Sequence, residues 1–229
     1  MVYFTVHNGT ATLSAMCDRY MHRFHENITQ LPIGYYYPSK YLGLFIEHNL
    51  EKFRRLIHDL GIRDGLIAFQ AFVRGNEVMP FDPTYRLDGT VAYHMIEKIN
   101  GVNVLQMLIH KSLAGTMGDD AEICRLENPY FSSPAYEVPI LLGKGTITRI
   151  EGFDEVRSMP DVVHICMRHE VGEVMEHTAD FSQTLCRICL CAKDDRAILD
   201  DINKIFACVK VLDERGRDMI INRSTFTLS

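Results

Sequence analysis

Gln70, Asp82, Thr84 and Arg86 stand in one stretch, FQAFVRGNEVMPFDPTYRLDGT, residues 69–90. An amide, a carboxylate, a hydroxyl and a guanidinium can between them hold a hard cation and a phosphate. The stretch reads as two strands around a turn. With Arg74, Gly75 and Asn76 as the turn, Val73 faces Glu77 and Phe69 faces Phe81. That register gathers Ile67, Phe69, Ala71, Val73, Met79 and Phe81 on one apolar face. Gln70, Asp82, Thr84 and, where the chain stays extended, Arg86 fall on the other. Gln70 and Asp82 are then diagonal neighbours, roughly 7–8 Å apart and within reach of a bridging group. Oxygen ligands on adjacent strands, completed by water and phosphate oxygens, are how Mg²⁺ is held. An arginine just beyond would brace the charge of a moving phosphoryl group. The same spacing also fits a plain half-buried hairpin, since Asp-Pro-Thr is ordinary turn chemistry.

A lone hairpin is marginal, so other elements must carry this one. VYFTVHNGTATLSA places Asn8-Gly9 between two β-rich runs and predicts a first hairpin. Ser39, after Pro38, reads as the N-cap of a helix with Leu42, Phe45, Ile46, Phe53, Leu56, Ile57 and Leu60 at helical spacing, stopped by Gly61. VAYHMIEKI and VLQMLIHKSL predict two more helices around Asn100-Gly101. From about Ala135 the pattern becomes strand, Gly-Lys-Gly turn and strand in YEVPILLGKGTITRIEG. A short helix (FDEVRSMP), two strands (VVHICMRH and QTLCRICLCAK), a helix capped by Asp194 or Asp195 and a terminal hairpin (KVLDERGRDMI) follow. A loose boundary at 125–134 divides residues 1–125 from 135–229. The expected class is α+β: a mainly antiparallel sheet with helices packed on it.

At 229 residues and 47% hydrophobic, the chain can bury a sizeable core. A formal charge of −6 argues against nonspecific nucleic-acid binding, which runs on clustered Lys and Arg. No apolar run is long enough to span a bilayer, which makes a cytoplasmic protein the default expectation. The seven cysteines form no disulfide framework. Cys186, Cys189 and Cys191 lie in an alternating apolar run that reads as a strand, where Cys186 and Cys189 point to opposite faces, so a structural role is expected. His22 and His25 are short of partners for a metal site. Gly143-Lys144 has Val138 where a phosphate-binding Walker loop needs glycine, which leaves Gly-Lys-Gly as a turn.

The order of long helix, DLGIRDG, hairpin with Gln, acid and Arg, then LDGT, helix and INGVNVLQMLI resembles the second half of an ATP-grasp domain. The pattern is similar to biotin carboxylase, the synthetase domains of the carbamoyl-phosphate synthase large chain, and related carboxylate–amine ligases. The resemblance runs over about residues 1–115, and the later strands look like the small carboxy-terminal lobe that follows in such ligases. It implies ATP and Mg²⁺ as cofactors. Gln70 matches the first metal ligand of the family, Asp82 the position of its Glu, Thr84 that of its Asn, Arg86 that of its catalytic Arg and Gly89 the glycine after it. Gln70, Asp82 and Thr84 are thus the implied metal ligands, and Gln70, Asp82 and Arg86 the implied nucleotide contacts. Asp is one methylene shorter than Glu, and Thr offers a hydroxyl where Asn offers a carbonyl. Both are weaker ligands for a hard cation.

The resemblance further implies ATP-driven activation of a small carboxylate as an acyl phosphate, opened by an amine, thiol or similar nucleophile. The family's preceding α/β domain, phosphate-gripping lysines and adenine hinge find no counterpart before Val2. The expectation is therefore the carboxy-terminal portion of a ligase, inert until a partner supplies the amino-terminal half. Arg19, Arg23 and His25, in CDRYMHRFHEN, read either as groups near the triphosphate or as a solvated run. The alternative to a ligase is an ATP-grasp remnant serving as a non-catalytic binding or assembly module. An exposed first strand leaves a homodimer open.

Overall fold

Asn8 and Gly9 take φ of 50° and 80° and close the hairpin of β1 (Val2–His7) and β2 (Thr10–Met16) with a two-residue turn, as Asn-Gly predicts. The structure is a computed structural model that describes residues 1–24, 30–118, 123–176 and 181–223. Strands β3 (Asp18–His22) and β4 (Leu31–Tyr37) follow. The single helix expected after Ser39 is two, α1 (Leu42–His48) and α2 (Leu50–Asp59). They break at Asn49, whose side-chain amide donates to the Val78 carbonyl at 3.1 Å. Ser39 precedes the helix instead of capping it: its buried hydroxyl accepts from the Tyr41 amide and donates to Asp18 at 2.5 Å. Gly61, at φ 69°, ends α2 as expected.

The chain continues through β5 (Gly65–Arg74), β6 (Glu77–Thr84), α3 (Ala92–Asn100), α4 (Val104–Ala114) and the short α5 (Ile123–Leu126). Then come β7 (Ala135–Leu141), β8 (Gly145–Thr146), β9 (Arg149–Glu151), α6 (Phe153–Arg157), β10 (Val162–Met167) and β11 (Val174–Met175). Strand β12 (Thr184–Cys191), helix α7 (Asp195–Cys208), capped by Asp194, and β13 (Lys210–Leu212) complete it. The class is α+β with antiparallel sheets. No helix among the described residues is long and apolar enough to cross a membrane.

Two units divide these elements: Met1–Asp18 with Tyr37–Ser132, and Arg19–Tyr36 with Ser133–Ser229. The first holds a four-stranded sheet in the order β2-β1-β5-β6. Val2, Phe4, Val6, Leu13, Ile67 and Phe69 bury one of its faces against Leu42, Phe45 and Ile57 of α1 and α2.

In the second unit the order is β10-β12-β7-β4-β3, with Val138, Ile140, Ile188 and Leu190 packed against Ile198, Ile202 and Ile205 of α7. The Gly-Lys-Gly segment does not make a hairpin. Both edges of β7 are already taken, by β12 and β4, so β8 pairs with β11 and the Gly143 amide donates to Met219. The expected terminal hairpin forms as a short one: Leu212 bridges Asp218, the Met219 amide donates to Val211 and the Asp213 amide to Arg217, while β13 also pairs with β9.

Candidate functional site

Gly75, at φ 57°, makes the β5–β6 turn with Asn76 alone, so Arg74 faces Glu77 and Gln70 faces Phe81. This is one residue from the expected register, and a one-residue slip moves side chains to the opposite face. Phe81 therefore leaves the core face and stacks on Phe72 in the open, with centroids 4.5 Å apart and the rings 38% and 64% exposed. The ladder slips again beside Asp82, which takes φ 50°, a conformation Asp adopts more readily than most residues. Pro83, without an amide proton, suits the break. The second slip restores parity: Thr84 faces Ala68, on the side that carries Gln70.

The bulge brings Gln70 and Asp82 together. Gln70 Nε2 donates to Asp82 Oδ2 at 2.5 Å in an exposed pair. Thr84 Oγ1, half-buried, donates to the Ala68 carbonyl at 3.4 Å. Arg86 stands apart. Strand β6 ends at Thr84, and the Arg86 guanidinium, in the following loop, donates to the Leu87 carbonyl at 2.8 Å. It borders a cavity of about 30 Å³ whose walls include Tyr3, Thr5, Ser14, Ala68 and Asp88. Neither Gln70 nor Asp82 is among that cavity's described walls.

The alternation along β1 continues this face inward. Val2, Phe4 and Val6 serve the core, while Tyr3, Thr5 and His7 face the other way and are buried too. Each finds a polar partner, as buried polar groups must. The Tyr3 hydroxyl reaches Asp88 Oδ2 and Thr90 Oγ1, both at 3.2 Å. His7 Nε2 lies 2.6 Å from the Gly118 carbonyl. Thr5 Oγ1 and Ser14 Oγ are 2.6 Å apart, and Ser14 donates to Glu127 Oε1 at 2.9 Å. Glu127 is 7% exposed, and its Oε2 has no partner among the described residues. Burial pushes its carboxyl up to about 8, against the opposing hydrogen bonds of Thr5 and Ser14. The sequence reading missed this network. The odd-numbered polar residues of β1 were its only local signal, because Glu127 joins from 113 residues beyond Ser14.

The second unit carries a different buried charge. Arg187 of β12 donates to Glu137 of β7, the two being 3% and 0% exposed, and the guanidinium lies 5.5 Å over the Tyr35 ring. Burial alone would lower the Arg187 pKa, but Glu137 and Tyr35 outweigh it and hold the cation. Cys186 and Cys189 are fully buried on β12, and burial raises both thiols. Arg19 Nη2 lies 3.5 Å from Met21 Sδ, and His22 meets the edge of Phe24 at 4.6 Å. Arg23 is exposed, and His25 lies outside the described residues. No three His, Cys, Asp or Glu side chains converge as a metal site among the described residues. The hairpin set includes just one such residue, Asp82.

No family model and no curated protein matches the chain. Solved structures do. Phosphoribosylglycinamide synthetase from Anaerococcus prevotii superposes with a TM-score of 0.75 at 14% identity, over 93% of this chain and 52% of that one. An L-amino acid ligase from Bacillus licheniformis gives 0.73 at 14% identity, over 93% and 53%. The fold is that of part of an ATP-grasp enzyme. A third ATP-grasp neighbour is the biotin carboxylase domain of the Hydrogenobacter thermophilus 2-oxoglutarate carboxylase, solved with MgADP and bicarbonate. It gives 0.69 at 12% identity, over 92% and 45%. The chain thus spans about half the length of these ATP-grasp structures, and identities this low speak for the fold alone.

Proposed function

We propose that this chain is the carboxy-terminal, metal- and acyl-handling portion of an ATP- and Mg²⁺-dependent carboxylate ligase. The observation that carries the reading is the bulged hairpin, which turns Gln70 and Asp82 onto one point of an open face beside the Phe72–Phe81 stack. Its support is the shared fold of enzymes named for ligating amines or carboxylating biotin.

The donor set fits a hard cation. Turning the Gln70 amide about its last bond exchanges Nε2 for Oε1, which would set two oxygens side by side, and the Thr84 hydroxyl is the third donor of the proposed set. Gln70, Asp82 and Thr84 would hold Mg²⁺, which when bound neutralises phosphate charge. The flat, exposed face of Phe72 and Phe81 offers a stacking platform for the base of ATP. Arg86, held on Leu87 with its guanidinium exposed, is placed to steady a transferring phosphoryl group by charge-assisted hydrogen bonds. The carboxylate substrate gains a phosphoryl group, and the nucleophile then displaces phosphate from the acyl carbon. The phosphate grip of the reaction comes from a partner segment that completes the domain.

Protein isolated from its native cells through a tag on this chain, given ATP, Mg²⁺ and panels of acids and amines, should release ADP. Arg86→Ala and Asp82→Asn should each slow that release by about 100-fold or more. Unchanged release in both variants sinks the site assignment. The reading as a non-catalytic module draws on one observation: the Gln70–Asp82 hydrogen bond already satisfies the pair without a cation. Calorimetry that finds no Mg²⁺-dependent ATP binding by the native protein would favour it.

A further inference from the structure

Glu127 belongs to no part of the site just described, yet it is wired to the cavity beside Arg86. Ser14 donates to Glu127 Oε1 at 2.9 Å. Ser14 Oγ also lies 2.6 Å from Thr5 Oγ1, a distance at which either hydroxyl can donate to the other. Thr5 and Ser14 thus form a hydroxyl pair that hydrogen-bonds the Glu127 carboxyl, Ser14 at Oε1. Thr5 and Ser14 are each 1% exposed, and both line the cavity that Arg86 and Asp88 border. Its volume of about 30 Å³ has room for one water, with Tyr3, Thr5, Ser14 and Asp88 as polar neighbours. A hydroxyl pair that ends on a carboxylate with an unpartnered second oxygen can deliver protons to that carboxylate. The Cys124 thiol is raised first by burial and then by the charge of Glu127, against a hydrogen bond from Thr12.

We propose that Glu127 is the buried proton acceptor for the amine nucleophile of the ligase reaction, acting through Ser14 and Thr5. The inference rests on the ligase reading above. As the nitrogen attacks the acyl phosphate, its C–N bond forms and the C–O bond to phosphate breaks, with the electron pair leaving on phosphate. The proton shed by nitrogen enters the cavity and reaches Thr5 Oγ1, whose own proton moves to Ser14. Ser14 in turn protonates Glu127, so one proton is shed and one gained. Glu127 touches no substrate and is a positioning residue for the proton path. Burial raises its affinity for protons, so it is free to accept one only as pH rises through about 8.

Hydroxylamine separates this role from a structural one, since it attacks acyl phosphates readily without a base. Native protein isolated through its tag would be assayed with amine and with hydroxylamine, beside Glu127→Gln, Ser14→Ala and Ser14→Thr. Glu127→Gln and Ser14→Ala should lose amine-dependent product by about 100-fold, together with the rise of rate with pH near about 8 that the relay predicts for wild type. Both should keep most of their hydroxamate formation, and Ser14→Thr, which retains the hydroxyl, should restore amine-dependent product. Equal losses with both nucleophiles, or an unchanged pH profile, overturn the relay while leaving the ligase standing. Absence of hydroxamate even from wild type overturns the ligase reading, and the relay with it.

Discussion

At the scale of single residues, geometry at Asp82 decides what the hairpin can do. At its positive φ the short carboxylate accepts from the Gln70 amide. Asp82→Ala removes the acid and also strains a left-handed position, at a cost of about 1–2 kcal/mol. Asp82→Asn keeps the shape and removes the charge, so the two variants divide metal affinity from folding. Isothermal titration with Mg²⁺ and ATP should show Asp82→Asn folded but at least 10-fold weaker in Mg²⁺-dependent binding. Equal affinity in the variant and wild type would remove Asp82 from the ligand set. Phe72→Ala should leave stability nearly unchanged, since the ring is 64% exposed, and weaken nucleotide binding by about 1–3 kcal/mol if a base stacks there.

At the scale of elements, close approach governs the five-stranded sheet. Gly34 of β4 lies under the Tyr136 ring of β7, and a Cβ there would fall within the hydroxyl. Gly34→Ala should destabilise the second unit by about 1–3 kcal/mol, seen as a lower denaturation midpoint with an unchanged denaturant slope. Gly9→Ala meets no such neighbour, and its cost is only that of a left-handed backbone, about 1 kcal/mol. The buried pair across β7 and β12 is a sharper case. Arg187→Met leaves the Glu137 carboxylate without its guanidinium in a site where both are nearly inaccessible, and should cost about 3–5 kcal/mol. Pairing it with Glu137→Leu should recover most of that loss. A double variant no more stable than Arg187→Met would mean that the pair's geometry, and not its desolvated charge, is what the sheet needs.

For the molecule as a whole, the buried acid predicts a pH profile of stability. The folded-state pKa of Glu127 is raised to about 8 from an ordinary 4.5, so between those values the folded chain binds a proton that the unfolded chain has released. Stability from this group is complete below the unfolded value and declines as pH rises through the folded one. Each pH unit in that window costs about 1.4 kcal/mol. Glu127→Gln should flatten the decline, so the variant gains on wild type by a few kcal/mol between about pH 5 and about pH 8. Denaturant melts at both pH values measure it, and parallel profiles would return Glu127 to ordinary ionisation. The formal charge of −6 gives the molecule no general attraction for an anion.

Residue order by itself determined the α+β class, the Asn8-Gly9 turn, and the helices over 92–100 and 104–114. These follow from local signals: turn chemistry, helical spacing and the two-residue period of strands. Tertiary structure alone decided the rest. The β5–β6 register depended on a two-residue turn and a bulge whose slips compensate, and alternation cannot count either one. The pairing of β8 depended on which edges β7 had left, a property of the whole sheet. Glu127 met Ser14 across 113 residues because the far face of a sheet had to be covered, and the cover happened to bring an acid. Contacts so distant in sequence leave no periodic trace, because what fixes them is the shape of the space that remains once the sheet has formed.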